Sequence, residues 1–224
     1  MVKSFRFLLQ FAWSNLGALL VFALIVSVGS LLTGVPGGAD NLFSTYFSAF
    51  PLMALIILYI YAFALCTSNL NLALSFGATR RGFFWAVQGI LLLYVLVSWL
   101  LQGVLAAIPT LLNWAYPERF PILRMCGFTS WFFPLMCLVI LCLGCLAGII
   151  FIKSKAAGVV VVALSGVLGI FGMVALFITS SAVRDFGPGL FGSLPLWCTA
   201  AGVAIVGVSE GFLWHTVRHF IVKS

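Results

Sequence analysis

Charged residues in this chain stand in short islands between long apolar runs. A bilayer core of about 30 Å takes about 20 apolar residues per helical crossing, so runs of this length commit the chain to the membrane. Of the 224 residues, 64% are hydrophobic and 7% charged, against about 25% charged in a soluble domain. No stretch is left over for a separate soluble domain. Strands of a membrane barrel would alternate polar and apolar residues. These runs are apolar all round, and a helix satisfies its whole backbone within one segment. The expected fold class is an all-α membrane protein of six transmembrane helices, forming one domain over residues 1–224.

The spans are expected at about Ser14–Leu32, Phe47–Thr67, Phe83–Ile108, Trp131–Phe151, Ala157–Ile178 and Leu196–Trp214. Lys3 and Arg6 precede the first, in the manner of a signal peptide. The run is longer than a secretory h-region and no clean small-residue cleavage site follows it before Pro36, so it is expected to be retained. Residues 2–13 set Lys3 and Arg6 among Phe5, Phe7, Leu8, Leu9 and Phe11. Such a basic, aromatic-rich segment suits a short N-terminal interfacial helix.

Basic residues orient the spans, because Lys and Arg are retained on the cytoplasmic side. With six spans the termini share a side. That side holds Lys3, Arg6, Arg80, Arg81, Lys153, Lys155, Arg218 and Lys223, and the other holds Arg119, Arg124 and Arg184. Both termini are therefore expected in the cytoplasm. Asp40, Glu118 and Asp185 fall on the outer side. The net charge of +7 is then a topological signal, aided by anionic inner-leaflet lipid, and calls for no nucleic acid. Trp13, Trp85 and Trp214 fall at the inner interface, and Trp114, Trp131 and Trp197 near the outer one, where a flat ring with one polar N–H fits.

The outer segments are broken by Pro36, Gly37 and Gly38, by Pro117 and Pro121, and by Gly187, Pro188 and Gly189. The last, residues 181–195, is apolar enough to lie on or re-enter the membrane. No internal repeat is evident. Gly144 and Gly148, Gly166 with Gly169 and Gly172, and Ala204 with Gly207 and Gly211 are spaced along single helix faces. Small residues so placed let helices approach closely, and packing within the chain is the favoured expectation.

Ionisable groups inside a membrane are the default functional candidates. Only Glu210 falls within a span, and it is expected to reach inner-face water or to pair with Arg218. His215 and His219 share a helix face at a spacing that can hold a metal. Glu210 is out of step with that face and no third ligand is in evidence, so no metal is expected. Cys142 and Cys145 form a C-x-x-C pair within a span and read as small apolar residues. Cys126 and Cys198 both fall near the outer face. There is no H-E-x-x-H and no Walker A sequence, so no catalytic residue or cofactor is expected. Gln88, Ser98 and Gln102 are uncharged polar residues among aromatics. They suit either interhelical hydrogen bonds or a translocation path for an amphipathic cargo.

One stretch departs from generic membrane helix. Between the second and third spans, about residues 67–82, lies a short amphipathic element, then a Gly turn, a basic pair and an aromatic return to the membrane. A loop of this shape suits docking on a soluble partner. The stretch Leu72-Ala73-Leu74-Ser75-Phe76-Gly77-Ala78-Thr79-Arg80-Arg81-Gly82-Phe83-Phe84 resembles the first cytoplasmic loop of small bacterial permeases of the ABC-2 type. Those permeases often carry Ser-Phe/Leu-Gly-x-Thr-Arg-Arg/Lys-x-Phe-Phe at this place. The chain length, the six spans and the basic N-terminus resemble that family too, while the double-Pro outer segment between the third and fourth spans departs from it.

The resemblance implies a membrane-spanning permease subunit of an ATP-driven exporter in the bacterial cytoplasmic (inner) membrane. It would pair with a second permease, identical or homologous, and sit on cytoplasmic ABC ATPase subunits, which would hydrolyse the ATP. Asn69 to Phe76, with Asn71, Leu72, Leu74, Ser75 and Phe76, would form the ATPase-coupling element. Gly77 would reverse the chain, Thr79 would belong to the same coupling element, and Arg80 and Arg81 would meet acidic ATPase groups or lipid phosphates. The cargo would be a peptide, antibiotic or lipid-like amphiphile. Two other readings stand beside it. One is a nonenzymatic membrane scaffold or immunity protein. The other is the substrate-binding membrane subunit of a vitamin-type importer, although the first span lacks an Ala-x-x-x-Ala pattern.

Overall fold

The computed structural model describes residues 2–32, 42–75, 77–111, 132–166 and 194–219. Every regular element among them is an α-helix. Helix α1 spans Val2–Leu32, α2 Leu42–Ser75, α3 Arg80–Leu111 and α4 Phe132–Lys153. The described part of α5 is Lys155–Gly166, and α6 spans Leu194–His219. Helices α1, α2, α3, α4 and α6 are each long and apolar enough to cross a membrane, as in a multi-pass membrane protein. The expected fifth span is represented by α5 alone.

Helix α3 has the polarity of a membrane helix, inverted relative to a soluble one. Leu92, Leu96, Leu100 and Val104 recur at every fourth position and are more than half exposed. Tyr94, Ser98 and Gln102, also four apart, are buried on the opposite side. Lipid is the cheapest neighbour for the first stripe, and the polar groups gain only by turning inward.

Close approach of α2 and α4 organises the bundle. A Cβ on Gly144 would stand 2.7 Å from the Tyr59 carbonyl oxygen, and one on Gly148 2.8 Å from the Phe63 oxygen. Both numbers rise together, so the two helices run parallel, and the expected intrachain role of these glycines holds. Around that contact Ala62, Cys66, Leu141 and Cys145 form the main core with Leu8, Ala12, Ile90 and Tyr94. A smaller core joins Leu19 and Ala23 of α1 to Phe50, Ala54 and Leu105. Helix α1 runs parallel to α3. Near its start the Phe5 ring lies against Gly89, and further on Asn15 Nδ2 donates to the Tyr94 hydroxyl at 3.3 Å.

Helices α4 and α5 form a hairpin about one residue. The Ser154 N–H donates to the Ile150 carbonyl, and its own carbonyl accepts from Gly158. Its hydroxyl accepts from the Ala157 N–H at 3.4 Å, as an N-cap should. Antiparallel return brings Gly158 against Phe151 and Ser165 to the Tyr59 hydroxyl at 2.6 Å. Near the hairpin the Lys153 ammonium lies 5.9 Å from the centre of the Phe212 ring on α6, within cation–π range.

Three expectations change. Residues 2–13 are no separate interfacial helix, because α1 is continuous and its Leu8 and Ala12 are wholly buried. The stretch up to Ser75 is no loop but the last turns of α2, held to the bundle by buried Leu70 and Ala73. The stripe Ala204, Gly207 and Gly211 faces outward, and a Cβ on either glycine meets nothing within 4 Å. The outer segments with their charges, and any Cys126–Cys198 bond, lie outside the described residues and side chains.

Candidate functional site: the α2–α3 turn and the α3–α6 seam

Helix α2 ends by a glycine cap. Gly77 has φ of +79°, a left-handed conformation that glycine adopts without the steric cost of a Cβ. Its N–H donates to the Leu74 carbonyl at 3.1 Å, and the Ala78 N–H to the Ala73 carbonyl at 3.0 Å. This pair of bonds is the Schellman motif, which satisfies two of the carbonyls a helix end leaves open. Two residues later Thr79 opens α3. Its hydroxyl accepts from the Gly82 N–H at 3.1 Å, and its carbonyl from the Phe83 N–H at 2.8 Å. A stop signal and a start signal therefore abut, and the reversal is tight and ordered by its own residues.

The turn lies at one end of the bundle, flanked by buried Leu70, Ala73 and Phe83. At 1.5 Å per residue a helix of 30 residues is about 45 Å long, well beyond a core of about 30 Å. Helices α2 and α3, with 34 and 32 residues, are therefore each longer than the hydrocarbon is thick. Leu72, Ser75, Gly77, Thr79, Arg80 and Arg81 are exposed, and Leu74 is half-buried. The Ser75 hydroxyl donates to the Leu72 carbonyl at 2.8 Å. Asn71 belongs to α2 by its backbone, and its side chain and Phe76 are outside what is described.

From the turn, α3 runs antiparallel to α6 along a seam with contacts every four residues. Arg80 Nη1 donates to the Arg218 carbonyl at 2.9 Å. Phe84 meets Trp214 edge to face at 4.9 Å between ring centres. Gln88 Nε2 donates to the Glu210 carboxylate, whose other oxygen accepts from the Cys142 thiol at 3.5 Å. Each contact moves four residues up α3 and four down α6, about one helical turn. Glu210 is thus held by Gln88 and Cys142 rather than by Arg218. Arg218 takes part through its backbone instead, where a cation at a helix C-terminus also meets the negative end of the helix dipole.

Gln88 is therefore a seam residue, apart from Ser98 and Gln102, which lie deeper on α3. Ser98 Oγ and both amide atoms of Gln102 are buried with no hydrogen-bond partner. Cys142 and Cys145 neighbour Cys66 in the core. Among the described residues no group of His, Cys, Asp and Glu is arranged to hold a metal. His215 is exposed.

Several partnerships escaped the sequence reading. The pairs Asn15–Tyr94 and Tyr59–Ser165 join positions 79 and 106 residues apart, and no local pattern signals such pairs. The expectation that the chain holds no G-x-S-x-G, the form of a hydrolase nucleophile elbow, is wrong at the level of sequence, because Gly207-Val208-Ser209-Glu210-Gly211 spells it. It lies within α6 rather than on the strand-to-helix turn that exposes such a serine, and Ser209 is buried. Compared with known proteins, the chain matches no family model, no curated protein and no solved structure.

Proposed function

We propose that the protein is the membrane-spanning subunit of an ATP-driven exporter of the ABC-2 type. In this reading it pairs with a second permease and docks on cytoplasmic ATPase subunits at the α2–α3 turn, and the end of the bundle bearing that turn faces the cytoplasm. The observation that carries the reading is the turn itself. Exposed Leu72, Ser75, Thr79, Arg80 and Arg81 surround a doubly capped reversal that joins two membrane-length helices at one end of the bundle. The family-like residues thus coincide with an ordered, basic, exposed surface. The seam to α6 adds a path for motion, because a push on Arg80 is relayed through Phe84 and Gln88 to Trp214 and Glu210. The α2 end replaces a free coupling loop, so the docking element is a rigid extension of a transmembrane helix.

The reading is tested by isolating the chain from its native membrane in mild detergent and identifying what accompanies it by mass spectrometry. An ATPase in stoichiometric amount is expected. It should be lost from Arg80→Ala/Arg81→Ala, which leaves the caps intact. It should also be lost from Gly77→Pro, since proline can neither reach φ of +79° nor supply the N–H that bonds Leu74. A chain that arrives alone, or with partners indifferent to these changes, overturns the reading in favour of a scaffold.

A further inference from the structure

The interior of α3 presents polar atoms that the fold leaves unused. Tyr94, Ser98 and Gln102 follow one another at intervals of four and line one buried face. Tyr94 is partnered by Asn15. Ser98 is 1% exposed and Gln102 0%, yet Ser98 Oγ, Gln102 Nε2 and Gln102 Oε1 have no hydrogen-bond partner. Burying an amide without compensation costs about 1–3 kcal/mol by protein mutational measures, and an orphaned polar group in a native core calls for an explanation. Leucine has nearly the shape of glutamine and would avoid that cost. The amide at residue 102 is therefore an expense to the resting fold.

We infer that Ser98 and Gln102 form a binding subsite for the backbone amide of an apolar peptide. The chemistry selects this class by elimination. A hydrocarbon would leave all three atoms unpartnered. A cationic ligand would find no free counter-ion, because Glu210 is the only acid among the described residues and is engaged by Gln88 and Cys142, and an anionic one would find no basic residue on α3 between Gln102 and Arg81, 21 residues before it. Gln88 lies fourteen residues before Gln102 on α3, about 21 Å along the helix axis at 1.5 Å per residue. In an extended peptide the N–H and C=O of one residue point to the same edge. A carboxamide matches both at once, with its oxygen accepting and its NH₂ donating, and the Ser98 hydroxyl one turn away can serve a second peptide group. Apolar side chains on such a ligand would suit the core that Leu105, three residues after Gln102 on α3, shares with Leu19 and Phe50. As a binding site this stands alone; as the cargo class of the exporter it rests on the function proposed above.

The test uses the full chain in lipid nanodiscs, with N-acetyl-leucyl-leucinamide as the probe. Its comparison ligand is the ester isologue in which the central N–H is replaced by oxygen. The amide probe is expected to raise the unfolding temperature saturably and to bind about tenfold more tightly than the ester, the factor that 1.4 kcal/mol represents. Gln102→Leu and Ser98→Ala should each weaken the probe about tenfold. Without probe, Gln102→Leu should unfold at the same temperature or higher, whereas Gln88→Leu should unfold lower because Glu210 loses its donor. A ligand-free Gln102→Leu protein that unfolds several degrees lower, or fails to accumulate, would show that the folded chain itself uses the amide. That result overturns the inference, as does equal binding of amide and ester. Neither outcome touches ATPase association through Arg80 and Arg81, so the two proposals fail separately.

Discussion

At the scale of single residues, the same amino acid carries opposite weight according to what faces it. Gly144 and Gly211 are both helical glycines in apolar runs. A methyl group on Gly144 would meet backbone oxygen at 2.7 Å and Ala62 Cβ at 2.8 Å, while one on Gly211 meets open space. Backbone cannot swing aside as a side-chain tip can, so α2 and α4 would have to part. Gly144→Ala should destabilise the protein by about 1–3 kcal/mol, the usual range for overpacking. Gly211→Ala should be neutral or gain about 0.5–1 kcal/mol from helix propensity. Thermal unfolding of the two variants in one detergent checks the contrast, and equal losses would contradict the assigned contact. Both sites were legible as small-residue motifs, but which of them is a contact was not. That depends on residues more than 80 positions away.

At the scale of elements, the α2–α3 reversal was the most readable part of the molecule. Gly77 and Thr79 announce a stop and a start through local chemistry, because a left-handed residue and an N-cap hydroxyl act within four residues of themselves. The helical state of residues 69–75 was less readable. The sequence sets residues 69–76 apart from the second span as a short amphipathic element, whereas burial of Leu70 and Ala73 makes residues 69–75 a continuation of α2. The caps carry a prediction. Thr79→Ala removes the hydroxyl that accepts the Gly82 N–H and should cost about 0.5–2 kcal/mol. Thr79→Ser should restore most of that loss, as read from unfolding temperature. A Thr79→Ala protein as stable as the parent would mean that the hydroxyl does not cap α3.

At the scale of the whole molecule, the antiparallel seam of α3 with α6 and the α4–α5 hairpin gather Arg80, Arg81, Lys153, Lys155 and Arg218 at one end. No acid among the described residues neutralises them there, since Glu210 lies two turns inward. Sidedness is measurable. In a background without native cysteines, Ser75→Cys and Lys155→Cys should react with a membrane-impermeant maleimide from the same face. Under the proposed orientation that face is open in inverted vesicles and closed in intact cells. Labelling of the two from opposite faces would contradict the parallel course of α2 and α4. Labelling of both in intact cells would keep the bundle but reverse its orientation.

Composition and local pattern determined that this chain is helical and apolar enough for the membrane, where it turns between α2 and α3, and that its basic residues cluster. These properties follow from solvation of single segments and from bonds reaching four or five residues, so they are written in order along the chain. Tertiary structure decided the rest. It chose Gly144 and Gly148 as a contact while leaving Gly207 and Gly211 open. It paired Glu210 with Gln88 rather than Arg218, and it left Gln102 buried and unpartnered. A side chain's partner in a bundle depends on the rotation and stagger of whole helices against one another, and those are set by the summed fit of all their faces.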